Sequence, residues 1–443
     1  MRGKDVLRAG VIAGTTIAAC GFQPTLNSDA NPDGGLCMSA STECVQGADV
    51  LRTCPSAGAM YSDVNCAWGC TASGQVARCL GVVPSGSGGN AMNGVRPDDV
   101  AGGSDLTNLT TFAAGTILDG DSGKIGTSGN PTSVRGPGPG IQNGIDYELR
   151  GPIAMFRVNS LVIAGNIALV GNHPIALVAV GQVEIDGVID GTGTCTGTTP
   201  GPGGFAGGAA TKDASGSGGG SDGIAGGGGG GGGYGGGGGG GGYLSGAYSI
   251  GGGGWGTVDL ALLRGGGGGG GAGAGNGGSG GGGGGALQIV SNLTIAFGPV
   301  GGINVGGCGG HHVTTTDPGG GGGAGGAILL EAPTIVVGNL AANGGGGGGG
   351  DIGGTDGTAG KLGTDQAPGG TAATGLGGAG GAGGAGNNLS GGNAVTGPAC
   401  SHCGGGGGSV GRIRMNTRDG AGITNGPAAS TSPTASTGSA AVQ

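Results

Sequence analysis

Two short clusters carry side chains able to bind a metal or do thiol chemistry: Cys308-Gly-Gly-His311-His312 and Cys400-Ser-His402-Cys403. The first brings one thiol and two imidazoles, the second two thiols and one imidazole, within potential reach of one ion. Cys400 and Cys403 also have the spacing of a redox dithiol, but that chemistry needs a helix N-terminus to lower the thiol pKa, and no helix is expected there. The chain reads as exported, for reasons given below, and an oxidising compartment favours disulfides over thiolates. A metal held by Cys308, His311, His312, Cys400 and Cys403 is therefore the weaker alternative, and no cofactor is expected. Glu184, Asp186 and Asp190 raise the question of paired acids that cleave polysaccharide. Glu184 and Asp186 alternate with Val183 and Ile185, so both face solvent. Asp186-Gly and Asp190-Gly sit where turns need a side chain that bonds the local backbone. No catalytic residue is assigned. Tyr234, Tyr243 and Trp255 interrupt glycine runs and are candidate binding residues, exposed to stack on sugars, or else tabs that pin a loop to its neighbours.

The elements that must position these residues are short and repetitive. Residues 175–191 hold three extended runs separated by glycine or Asp-Gly, rich in β-branched residues and too punctuated for a helix. The opening run recurs as Ala286-Leu-Gln-Ile289, Ala327-Ile-Leu-Leu330 and Arg412-Ile-Arg-Met415. Apolar second and fourth positions around a variable third are period-two alternation with one inward face. Such a unit of roughly 20 residues cannot bury its apolar side alone, whereas stacked copies can. The expected fold is all-β: a right-handed parallel β-helix of about five coils over residues 155–424. Ile175, Leu287, Ile328 and Ile413 should form one inward column; Leu177, Ile289, Leu330 and Met415 should form the next.

Between the coils lie glycine-rich excursions at 192–285, 308–326 and 345–411, all leaving from one corner. Glycine supplies 133 of 443 residues without a strict Gly-X-Y period, which excludes collagen. Ordering a glycine run costs about 1–2 kcal/mol per residue in backbone entropy. Two readings stand: a lattice of extended three-fold (polyglycine II) strands held by backbone hydrogen bonds, or a solvated brush. Cys195 and Cys308 lie just beyond the exits of what should be adjacent coils, about 4.8 Å apart, and are expected to bond to each other. By elimination Cys400 and Cys403 pair together or hold the weak metal candidate.

Charge and the N-terminus narrow the class. With 25 acids against 16 bases the net charge is −9, with no basic cluster, so nucleic acid is not an expected partner. Arg2, Lys4 and Arg8 precede an apolar stretch too short to span a bilayer. It ends in Ile17-Ala-Ala-Cys20, which resembles the bacterial lipobox. That resemblance implies cleavage of 1–19, lipid on Cys20, and, with Gly21 following, sorting to the outer membrane.

Residues 20–36 read as a tether. Residues 37–80 hold Cys37, Cys44, Cys54, Cys66, Cys70 and Cys79 in a segment with little core, so disulfides are expected, the pairing left open. A Ser/Gly linker (81–94), a β-rich cap (95–154) and a disordered tail (425–443) complete the layout. The cysteine spacing, followed by a linker and a glycine-rich β-helix, resembles surface lipoproteins of myxobacteria and related bacteria. Two functions follow: a non-enzymatic cell-surface structural or adhesive lipoprotein, anchored in the membrane and meeting extracellular polysaccharide or other surface proteins, or an enzyme binding or cleaving exopolysaccharide. The scarcity of acids and bases on the coils favours the first.

Overall fold

A computed structural model describes residues 39–73, 76–86, 94–100, 105–224, 226–243, 248–372, 377–396 and 400–443. Cys20 and Cys37 lie outside the described residues, as does the whole of the expected leader and tether. The described chain is all-β, apart from a single 3-10 turn at Pro97–Val100.

The period-two runs become strands that pair in parallel, rung upon rung. One sheet stacks Ile153–Val158, Ile175–Ala179, Ala286–Ser291, Ala327–Glu331, Arg412–Thr417 and Ser436–Ser439 in that order. Ile175 pairs with Leu287, Leu287 with Ile328 and Ile328 with Ile413, and the Leu177, Ile289, Leu330, Met415 column runs beside it, both in the expected register. A second sheet carries the remaining strands of each rung, including Leu161–Ile163, Val183–Ile185 and Thr294–Phe297 in one column and Ile167–Val170, Val188–Asp190 and Gly302–Asn304 in the next. The inward side chains of both sheets meet in one continuous apolar core.

Three boundaries differ from expectation. The tail is not disordered: Ile423–Ser432 pairs in parallel with Thr334–Ala341, Ser436–Ser439 with Arg412–Thr417, and Ala441–Val442 antiparallel with Val82–Val83. Its Ser, Thr and Ala side chains make a poor apolar signal, yet the exposed edge of the last rung supplies the hydrogen-bond partners that composition does not reveal. The stack also starts earlier, because Thr110–Phe112 and Thr116–Asp119 pair in parallel with the rung of Leu161–Ile163 and Ile167–Val170. Antiparallel strands Ile125–Thr127, Asn130–Arg135, Gly140–Gln142 and Ile145–Arg150 close that end, and Ile153–Val158 straddles the expected boundary at 154. The buried Arg135 guanidinium braces this cap, donating to the carbonyls of Gly123, Gly136, Gly138, Gly140 and Ile145.

The linker, finally, does not hang free as far as Gly86. The first sheet's outer face is apolar too, at Ala176, Val178, Val290 and Leu329, and Val82, Val95, Val100, Leu260 and Leu263 cover it. There the Ser85 N–H and the amides of Gln288 and Asn416 donate to the buried Glu331 carboxylate. A parallel sheet buried on both faces reads as apolar runs rather than clean alternation, which is why one face alone was legible.

Candidate functional site

The described residues of the three glycine excursions are hydrogen-bonded to one another along their backbones. Along the segment 228–233 the hydrogen-bond donors cycle with period three, at 2.8–3.0 Å. Gly228 and Gly231 donate to Gly242 and Gly239; Gly229 and Gly232 to Gly319 and Gly322; Gly230 and Gly233 to Ser221 and Gly218. Carbonyls of the same segment accept from Gly270, Gly252, Gly406 and Ser409. Each residue thus turns the strand by about a third of a revolution, aiming successive N–H groups at different neighbours. Gly345 to Gly350 repeat the cycle toward Gly323 and Gly320, Thr358 and Thr355, and Gly381 and Gly378. Strands from all three excursions are interleaved, so the lattice binds together loops that leave different rungs. The brush reading is thereby corrected.

Why only glycine serves is a matter of direction. A Cβ built on Gly230, Gly231 or Gly232 would overlap the carbonyl oxygens of Ile250, Gly407 and Gly267. The vector that forbids a Cβ aims an α-hydrogen at an acceptor instead. An N–H bond contributes about 0.5–1.5 kcal/mol net and a Cα–H···O contact about 0.5–1. Together these match the ~1–2 kcal/mol of backbone entropy lost per residue.

The candidate site residues take their places around this lattice. Cys195 and Cys308 are joined, with Cα atoms 5.1 Å apart, tying the first excursion to the start of the second. Cys400 is joined to Cys403. In the N-terminal module Cys44 bonds Cys70, Cys66 bonds Cys79, and Cys54 is also in a disulfide. With their cysteines bonded, the two clusters offer no thiolate, and among the described residues no group of three or more His, Cys, Asp and Glu side chains is placed to hold a metal. The weak metal alternative is corrected accordingly.

His311 and His312 instead converge on Asp356 of the third excursion. The His312 ring Nδ1 and the Asp356 carboxylate are 2.7 Å apart, the His312 N–H donates to the same oxygen, and His311 Nε2 bonds the Gly197 carbonyl. Partial burial of Asp356 works against its charged form, but the His312 bonds outweigh it and hold the carboxyl below the usual range. Asp356 was not singled out from the sequence; one acid in a glycine-rich loop carries no signal of its partner.

Tyr234 is a tab rather than an exposed platform. It is buried, its hydroxyl donates to the Arg264 carbonyl, and its ring meets Trp255 edge-on at 4.7 Å between centroids. Burial pushes its phenol well above the ordinary range. Phe205 adds a second edge contact to Trp255. Tyr243 is half-buried beside Gly227. Of the acids, Glu184 is exposed on its strand, and Asp190 accepts the Thr192 N–H, as a turn residue does. Sequence reasoning missed the polar residues that end the lattice: Ser249 and Asn393 side chains accept the N–H groups of Gly241 and Gly240 where another strand's carbonyl would otherwise stand. Neither carried a signal of its own, since Ser249 sits between Tyr248 and Ile250 and Asn393 precedes Ala394, outside the long glycine runs.

No family model, curated protein or solved structure matches this chain. Among the described residues no helix is long and apolar enough to cross a membrane.

Proposed function

We propose that the chain is a cell-surface structural or adhesive lipoprotein, held by lipid on Cys20 and presenting a glycine-rich slab to the exterior. On this reading the rungs are coils of a right-handed parallel β-helix, and the excursions form a polyglycine II lattice. The observation that carries it is the period-three hydrogen-bond cycle that interleaves all three excursions. A lattice of this kind is stiff and flat, and its interior is closed to any ligand. Its working surface is its outside, which suits display and contact. The parallel registers support the β-helix, and the disulfides agree with an oxidising exterior. The charged start and the Ile-Ala-Ala-Cys20 ending support the anchor, and the likeness in layout to myxobacterial surface lipoproteins supports the location.

Growth with labelled palmitate tests the anchor: the label should enter the protein and vanish in Cys20→Ser. Protease added to intact cells tests the display. The protein should be clipped without lysis, and protection until the cells are broken would place it on the inner leaflet side and sink the surface role.

A further inference from the structure

Between the first sheet and the second, each rung passes through a short connection, and polar residues stand there. Val183, Ile295 and Ile335 point into the core, so the residues just before them, Gln182, Thr294 and Thr334, point outward. Val183 pairs with Ile295 and Thr294 with Thr334. The three outward residues therefore form one column on consecutive rungs, about 4.8 Å apart. Leu293 and Pro333, each one residue earlier, add an apolar step beside the column, and Leu293 is 46% exposed.

The disulfide-stapled N-terminal module stands opposite this column. Its wall carries Asp49 and Asn65 and is braced by Cys66–Cys79. Arg418 donates to both carboxylate oxygens of Asp49, and Ala441–Val442 pairs with Val82–Val83, so the module is fixed against the stack. Between the two walls lies a cleft of about 450 Å³, within the ~300–1,000 Å³ range of ligand sites. Asp49 and Arg418 are its only charged residues and neutralise each other, so the cleft presents no net charge. Among the described residues, the side chains of Asn65, Gln182, Thr294 and Thr334 have no hydrogen-bond partner. Their amides and hydroxyls offer donors and acceptors together on two rigid walls.

We propose that this cleft binds an extended, neutral polysaccharide. A sugar ring is edged by hydroxyls, each both donor and acceptor, and side-chain amides and hydroxyls match them. The ring's faces are C–H surfaces, suited to the step made by Leu293 and Pro333. Anionic chains are disfavoured, because their recognition calls for cations not already paired, and Arg418 is paired. The column repeats at nearly the length of one sugar in an extended β-linked chain, so successive rings meet equivalent groups, whereas a single sugar would fill one rung. The proposal gives the adhesive reading its ligand and rests on that reading. Binding is measured on purified protein, so it can fail while palmitate labelling and surface proteolysis succeed, and the reverse.

Titration calorimetry on the full chain in mild detergent tests this, with neutral β-linked hexasaccharides of glucose, mannose and N-acetylglucosamine as probes. At least one should bind with a Kd of about 1 mM or tighter, changing little between about 50 and 500 mM salt. Gln182 and Thr334 are both exposed, so the double substitution Gln182→Ala with Thr334→Ala should leave the melting temperature unchanged while raising that Kd about tenfold or more. Ile250→Ala, at an exposed position of the first glycine excursion, should not alter binding. Silence of all the probes at about 10 mM overturns the proposal. So does binding that survives the double substitution, which would assign it to another surface. Tighter binding of polygalacturonate, released by salt, would make the site an anion site, and tighter binding of a neutral Ser/Gly peptide would give the cleft to a protein partner; either overturns it equally.

Discussion

Single side chains, present or absent, set the mechanics of this molecule. Gly231 lies in the lattice interior, where an added Cβ overlaps the Gly407 carbonyl, whereas Gly275 borders open space. Gly231→Ala should destabilise the protein by about 1–3 kcal/mol, the usual range for overpacking, while Gly275→Ala should be near neutral, as denaturant titration will read. Equal effects of the two would mean that the lattice is not close-packed in solution. Arg135 is the opposite case, a large buried cation whose donors each find a carbonyl. Removing it strands several buried acceptors, so Arg135→Leu should cost about 3 kcal/mol or more. Arg135→Lys should recover little, because an ammonium lacks the planar fork.

At the scale of elements, stability rests on segments that are far apart in sequence and close in space. The strand Ile423–Ser432 covers the edge of Thr334–Ala341, and the Ser432 hydroxyl donates to Asn343 and accepts from the Gly386 N–H. Ending the chain after Thr417 should bare that edge, lower the melting temperature and promote aggregation, visible as a rise in light scattering on heating. Besides their backbone hydrogen bonds, the second and third excursions share a side-chain contact of Asp356 with His311 and His312. The folded pKa of Asp356 is depressed, so the stability it contributes is present above the ordinary value near 4 and is lost as pH falls through the lower folded value. Wild type should therefore melt above Asp356→Asn at pH 7, with the gap closing below about pH 4. A gap that stays constant down to pH 2 would remove the carboxylate from this role.

For the molecule as a whole, the rung stack and the glycine lattice are two bodies of different chemistry, and Cys195–Cys308 ties the first excursion of the lattice to the second across a sequence separation of 113. In the chain-entropy view a loop of that length is worth about 4–5 kcal/mol, and typical losses are about 2–4. The double substitution Cys195→Ser with Cys308→Ser should fall in that lower range by chemical denaturation. It should also speed hydrogen exchange in the first excursion more than in the rung strands.

What the sequence by itself determined is what local periodicity can encode. The tetrads specify inward columns, because a period-two strand has only two faces and one of them is always apolar here; the exits of consecutive rungs bring Cys195 beside Cys308, because rung spacing is a constant of β-structure. The tertiary structure decided the rest. Glycine carries no side chain, so a glycine run has no pattern from which its neighbours can be read, and only the assembled lattice selects the hydrogen-bond partners of Gly229 or Gly231. For the same reason the tail's place, the burial of Tyr234 and the pairing of Asp356 with His312 were illegible: each depends on a surface supplied by residues distant in the chain.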